Sequence, residues 1–345
     1  MNDYVPPPEF MPSEAGWGCT FVGFEEREFT KRIAESVHGI IWALLEVGYD
    51  LSRLEGITVS ARYAESLAEL DRGFETSAPL APTQEYGTGM AMAAPIVREG
   101  KIMSRLMLDA SIGVALLSEI EQERSFGLCT AVHELAHVFD LANKDKAFPG
   151  VLLKPYPGPI LEVEMFKLSS LAWDEYFTTE QSARLRPASL DDCDEVLETA
   201  LDDLLARLAE ARRAFFTHRD FGRVFREMST TMQILLKFSA YVLGTLDGLG
   251  RGDEYGPKSG DKIRASRFQT TFDSLRQALR QMASTYPTWQ GVEAFAPLRA
   301  VAQRALEAEG LHLAMTDDGQ MNIWVLHPEN FTPQQHMAAS LGQPI

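Results

Sequence analysis

The segment Thr130–Asp140 contains the pattern in this sequence whose residue types and spacing could support metal chemistry. It includes His133-Glu134-Leu135-Ala136-His137, with apolar residues around the two histidines. On a helix, residues four apart lie about 40° apart on one face and one turn apart along the axis. Two imidazoles so placed can bind a single Zn²⁺, and Glu134 lies beside the ion rather than on it. Its carboxylate could deprotonate a metal-bound water and return the proton to a leaving amine.

Hydrophobic periodicity indicates which elements must position this motif. The motif itself is expected on a helix over about 122–143, which a proline-rich loop at 144–159 separates from a helix over about 161–185. Residues 248–262 are expected to form a loop. Further helices are expected at about 25–47, 63–70, 110–118, 189–216, 221–246, 268–285 and 294–309. Strands are expected at 56–60, 90–97 and 101–108, with a hairpin at 311–315 and 321–325. The pattern predicts an α+β protein.

The order of two strands, a helix and a motif-bearing helix is typical of zincin metallopeptidases, which this chain resembles over about residues 55–185. The resemblance implies zinc held by the two histidines, a general base at Glu134, and an edge strand that aligns a peptide substrate by β-augmentation. Either Met90–Val97 or Lys101–Leu108 would be that strand.

The third metal ligand distinguishes the zincin groups. The metzincin pattern requires Gly at position 140 and His at 143, and Asp140 and Asn143 exclude that group. The gluzincin pattern takes a glutamate from a later helix. Glu175 matches it best, because the intervening loop and helix allow an antiparallel return and its helix presents an apolar stripe behind it. The implied zinc ligands are therefore His133, His137 and Glu175.

Other carboxylates stay open as the third ligand. Asp140 lies on the ligand face of its helix, but most of a turn beyond the second histidine, which favours a supporting role over coordination. Glu164 and Asp174, on the same predicted helix as the favoured glutamate, are further candidates. The gluzincin pattern often has an aspartate four residues after the ligand. This chain has Thr179 there, so Thr179 or Asp140 would have to support a histidine.

The composition limits the classes of function. A net charge of −17 repels phosphate backbones and anionic lipid surfaces, so neither a nucleic-acid partner nor a membrane partner is expected. No apolar stretch approaches the ~18–20 residues of a membrane span, and no secretory signal is expected. The three widely separated cysteines, Cys19, Cys129 and Cys193, indicate reduced thiols. We therefore expect a cytoplasmic protein.

Four regions are expected along the chain. They are an N-terminal arm at 1–25, a zincin-like metallopeptidase domain at 26–187, a helical region at 188–310, and a β-hairpin and tail at 311–345. The predicted function is zinc-dependent hydrolysis of a peptide or protein substrate. The alternatives are a zincin-like regulatory or binding module without peptidase activity, and a helical scaffold in which the motif is accidental. The oligomeric state stays open.

Overall fold

The computed structural model describes residues 17–76, 78–86, 88–154, 156 and 158–327. Contacts within the chain divide it into two compact units, whose boundaries interleave. The first unit runs to Lys146 and includes Arg184–Arg186, and the second comprises Ala147–Ala183 and the chain from Pro187 onward. Residues 1–16 of the expected arm and 328–345 of the expected tail lie outside the described residues. The predicted four-region division stays a prediction.

The first unit combines a mixed four-stranded sheet with helices. Its strands are β1 (Gly18–Val22), β2 (Leu54–Ser60), β3 (Ala91–Arg98) and β4 (Lys101–Asp109). Its helices are α1 (Arg27–Glu46), α2 (Tyr63–Ala68), α3 (Ala110–Leu116) and α4 (Glu121–Ala147). The strand order is β1-β2-β4-β3, with the first three parallel and β3 antiparallel to β4. Of the two strands considered for an edge position, β3 therefore lies at the edge and β4 lies inside the sheet.

The two faces of this sheet have separate cores. On one face, α1 and α4 pack against the sheet, because their apolar residues recur at helical spacing and meet alternate residues of the strands. This core includes Ile33, Val37 and Ile41 from α1, Val132, Leu135 and Val138 from α4, and Ile57, Val59, Leu106 and Leu108 from the strands. On the other face, Tyr63 and Leu67 of α2 pack against Ala94 and Met107.

Strand β1 lies within the expected N-terminal arm at 1–25, and its residues Gly18–Val22 pair in parallel with Gly56–Ser60, so this part of the expected arm belongs to the sheet. The five residues Gly18–Val22 show too weak an alternation of apolar and polar side chains to indicate a strand by themselves. Pairing with β2 decides their conformation, since it buries Cys19 and Phe21 in the core of the unit.

The second unit is mainly helical. Its helices are α5 (Ile160–Ser182), α6 (Ser189–His218), α7 (Phe221–Gly248), α8 (Ser259–Ala265), α9 (Gln269–Ala283) and α10 (Ala296–Ala308). A 3₁₀ turn lies at Val292–Phe295, and another, Ala183–Leu185, begins in this unit and continues into residues of the first. Helix α8 lies partly within the expected loop 248–262, and buried Asp194 accepts hydrogen bonds from the N–H groups of Lys258 and Ser259 at its start. This contact comes from a distant part of the chain, which is why local sequence did not indicate α8.

A separate hairpin closes the described chain. Strands β5 (Leu311–Met315) and β6 (Met321–Val325) pair only with each other among the described residues, at the predicted bounds. Gly319 takes a positive φ of 81° in the turn, which favours glycine. The α+β class is thus confirmed, with a small mixed sheet and a C-terminal antiparallel hairpin. Among the described residues, no helix has the length and apolar character needed to cross a membrane.

Helices α5 and α7 pack closely within the second unit. A Cβ atom added to Gly244 would lie 2.2 Å from Thr179 Oγ1 and 2.3 Å from the Tyr176 carbonyl oxygen. One turn later, a Cβ atom on Gly248 would lie 2.4 Å from the Glu180 carbonyl oxygen. The two glycines therefore allow the backbones to approach more closely than any other residue would permit.

Candidate metal centre

His133 and His137 lie one turn apart on α4, as their spacing predicts. The centroids of their imidazole rings are 5.0 Å apart, with the ring planes at 81°. Both side chains are half-buried. The opposite face of α4 is held in the core by Val132, Leu135 and Val138, so the two imidazoles project away from that core.

Glu134 is buried beside the edge of the sheet. Its side chain is 9% exposed, and its Oε2 accepts a 2.7 Å hydrogen bond from the backbone N–H of Ala93 on strand β3. The N–H of Val97, on the same side of β3, also donates outside the sheet, to the Arg72 carbonyl oxygen at 2.8 Å. Pro95 lies between these two residues, so its missing N–H interrupts no hydrogen bond of the β3–β4 ladder. The carboxylate next to the histidines is therefore held at the edge strand.

Tyr63 is a residue near Glu134 that the sequence analysis did not single out. Its hydroxyl oxygen is buried and has no hydrogen-bond partner among the described residues. Burial raises the pKa of Tyr63, and the negative charges of Glu134 and Asp109 raise it further. Tyr63 lies on the short helix α2, at no spacing that relates it to the histidine motif. Its packing against the face of the sheet opposite α1 and α4 is what brings it near Glu134.

Glu175 lies on α5 in the second unit, buried beside a lysine of α7. Its Oε1 is 3.3 Å from Nζ of Lys237, and the side chains are 8% and 19% exposed. Lys237 Nζ also lies 5.6 Å from the ring centroid of Tyr241. Lys237 was not predicted as part of the site, although its place between the apolar residues Leu236 and Phe238 was a usable signal.

Two of the rival carboxylates, Asp140 and Glu164, take part in ion pairs within their own helices. Asp140 is buried, and its Oδ2 lies 2.5 Å from Nζ of Lys144. Glu164 Oε1 lies 2.8 Å from Nζ of Lys167 on α5. These contacts describe what the carboxylates do in the protein, and the choice of the third ligand stays a prediction.

The residues that follow Glu175 are engaged inside the second unit. Thr179 Oγ1 donates to the Glu175 carbonyl oxygen at 2.6 Å, so its hydroxyl is used by the backbone of its own helix. The hydroxyl of Tyr176 donates to Asp247 Oδ2 at 2.7 Å. Support of a histidine by Thr179 would use its oxygen as an acceptor of the imidazole N–H, and it stays a prediction.

The donor set suits a metal ion. His133, His137 and Glu175 each offer a donor atom of a kind that could hold one. Two imidazoles and one carboxylate are a set that Zn²⁺ accepts, and with three protein ligands one coordination position stays open for water or substrate. The histidines belong to the first unit and Glu175 to the second. An ion shared by all three is therefore a proposal.

Comparison with protein-family models, with curated proteins and with solved structures gave no match to this chain. The resemblance to zincins rests on the residues of the motif and on the order of the surrounding elements.

Proposed function

We propose that this chain is a zinc-dependent hydrolase of the zincin type, a metallopeptidase in which His133, His137 and Glu175 hold the ion. The observation that carries the proposal is the 2.7 Å contact between Glu134 and the Ala93 N–H. It holds a carboxylate adjacent to two imidazoles against an edge strand, and an extended peptide can add to such an edge by backbone hydrogen bonds. The proposed general base therefore lies against the proposed peptide-binding edge of the first unit.

The roles of the residues follow from their chemistry. Zinc, when bound, supplies a Lewis acid that makes water more acidic and polarises the scissile carbonyl. Glu134 accepts the proton of the attacking water as its oxygen bonds to the carbonyl carbon, and delivers that proton to the amine as the C–N bond breaks. Strand β3 is the edge along which the peptide is proposed to lie. Because the Val97 N–H donates to Arg72 and Pro95 has no N–H, pairing is limited to the part of the strand around Ala93, whose N–H would pass from Glu134 to the peptide.

The compartment and the substrate class complete the proposal. Cys19, Cys129 and Cys193 form no disulfide, which supports a reducing compartment and hence a cytoplasmic location. The net charge of −17 favours neutral or basic peptides over anionic polymers as binding partners. A peptide or protein is therefore the proposed substrate, with no nucleic-acid or membrane partner.

The test compares wild type with Glu134→Gln, after purification without chelator and measurement of metal content. Both proteins should contain about one zinc per chain, because glutamine is nearly isosteric and Glu134 is not a ligand. Cleavage of a peptide library, followed by mass spectrometry, should be about 10²–10⁴-fold slower for Glu134→Gln. Glu123→Gln, an exposed position on the same helix, is the matched control and should cleave like wild type.

Three outcomes would refute the proposal. Wild-type turnover by zinc-loaded Glu134→Gln would exclude Glu134 as the base. A zinc-loaded wild type that cleaves no peptide would favour the regulatory or binding module instead, and a wild type without metal would exclude the zinc enzyme.

A further inference from the structure

Lys237 occupies an unusual position for a lysine. It lies on α7 between buried Leu236 and Phe238, and its side chain is only 19% exposed. Its ammonium is 3.3 Å from the carboxylate of Glu175, which is itself 8% exposed. Lysine is rarely buried to this degree unless it is paired, because removing an unpaired charge from water is costly. The pair is therefore a specific arrangement of α5 and α7.

We propose that Lys237 is the counter-ion that holds the Glu175 carboxylate in the metal-free protein and thereby lowers the affinity of the site for zinc. This inference rests on the proposed function, in which Glu175 is the third ligand. It assigns Lys237 a positioning role that acts through Glu175, and Lys237 does not itself bind the ion.

The direction of the effect follows from linkage. In the metal-free protein the ammonium stabilises the carboxylate, whereas a divalent cation on the same carboxylate repels the ammonium. An interaction that stabilises only the metal-free form lowers the affinity for the metal by the same factor. Removing the ammonium should therefore tighten zinc binding and, because it takes a positive partner away from a buried carboxylate, should make the metal-free chain less stable.

A purely structural ion pair would behave differently. It would stabilise the metal-free and zinc-bound forms equally, so its removal would lower stability and leave zinc affinity unchanged. The combination of lower stability with higher affinity is thus the signature of the proposed role.

The experiment measures zinc affinity by competition with a chromophoric chelator. Lys237→Met should bind zinc about tenfold more tightly than wild type, or tighter still, and Lys237→Arg, which keeps the charge, should stay close to wild type. Lys237→Gln, whose amide can still donate to the carboxylate, covers the case in which Lys237→Met fails to fold. Lys167→Met is the matched control, because it removes the same charge from a pair on α5 that involves Glu164.

The same measurements separate this inference from the proposed function. Unchanged or weaker zinc binding by both neutral Lys237 variants would overturn the role of Lys237 while leaving the metal site intact. Weaker but measurable zinc binding in Glu175→Ala, unchanged when Lys237→Met is added, would show that Lys237 acts through Glu175. A wild type that binds no zinc, or a Glu175→Ala variant that binds it normally, would overturn the proposed ligand set and this inference with it.

Discussion

Gly244→Ala tests the close packing of α5 on α7, which brings Lys237 to Glu175. The added Cβ would meet Thr179 Oγ1 at 2.2 Å and the Tyr176 carbonyl oxygen at 2.3 Å. Carbon–oxygen contacts below about 3 Å are strongly repulsive, and the Tyr176 carbonyl belongs to the backbone of α5 and cannot rotate away. The helices must therefore separate locally, or α5 must distort.

The expected cost can be worked from these distances. Overpacking a well-packed interior costs about 1–3 kcal/mol, and replacing glycine by alanine in a helix returns about 1 kcal/mol through propensity. Because two backbone-proximal atoms are in conflict, we expect the upper part of the overpacking range. Gly244→Ala should then lower the free energy of unfolding by about 1–2 kcal/mol.

The measurement is urea unfolding of Gly244→Ala beside Gly222→Ala, another glycine of α7. A Cβ atom on Gly222 would have its nearest contact at 3.5 Å, an ordinary van der Waals distance, so this variant should be as stable as wild type or slightly more stable. If Gly244→Ala were as stable as Gly222→Ala, the close approach of α5 and α7 would be refuted. The explanation of the Lys237–Glu175 contact by helix packing would then also fail.

Two further predictions concern the first unit. Tyr63→Phe should raise the free energy of unfolding by about 1 kcal/mol, because its buried hydroxyl has no hydrogen-bond partner among the described residues. Thermal unfolding checks this, with Tyr176→Phe as the comparison because that variant loses its hydrogen bond to Asp247. Equal destabilisation of Tyr63→Phe and Tyr176→Phe would contradict the prediction. Lys146 and Ser52 lower the pKa of Asp50 to about 2, so this contact adds stability above pH ~4 and loses it as the pH falls toward 2. Because Asp50 is partly exposed, Asp50→Asn should lower the free energy of unfolding by at most about 1 kcal/mol at pH 7 and by clearly less at pH 3. Urea unfolding at the two pH values measures this, and an equal loss at both would be inconsistent with the ion pair.

Much of the secondary structure could be predicted from sequence. The helices α1, α4 and α5 and the strands β3 and β4 lie within a few residues of their expected bounds, because each presents an apolar face with the period of its own element. The spacing of His133 and His137 likewise determines that the two imidazoles share a face of α4, since helix geometry is local.

Elements whose conformation depends on distant partners escaped prediction. Strand β1 is defined by pairing with β2. The backbone N–H groups at the start of α8 donate to Asp194 on α6, which caps the helix. Neither segment carries enough local periodicity to indicate its structure, because the interactions that stabilise it come from residues far away in the chain.

The environment of each candidate residue was decided by tertiary structure alone. Sequence spacing identified Glu134 and favoured Glu175, but it contained no information on the N–H of Ala93 that holds the first or on the ammonium of Lys237 that pairs with the second. The first contact depends on which strand lies at the edge of the sheet, and the second on two glycines that bring α7 against α5. Periodicity specifies which face of an element is apolar. Which polar groups meet there is determined by how the elements pack, since contacts between distant residues leave no local pattern in the sequence.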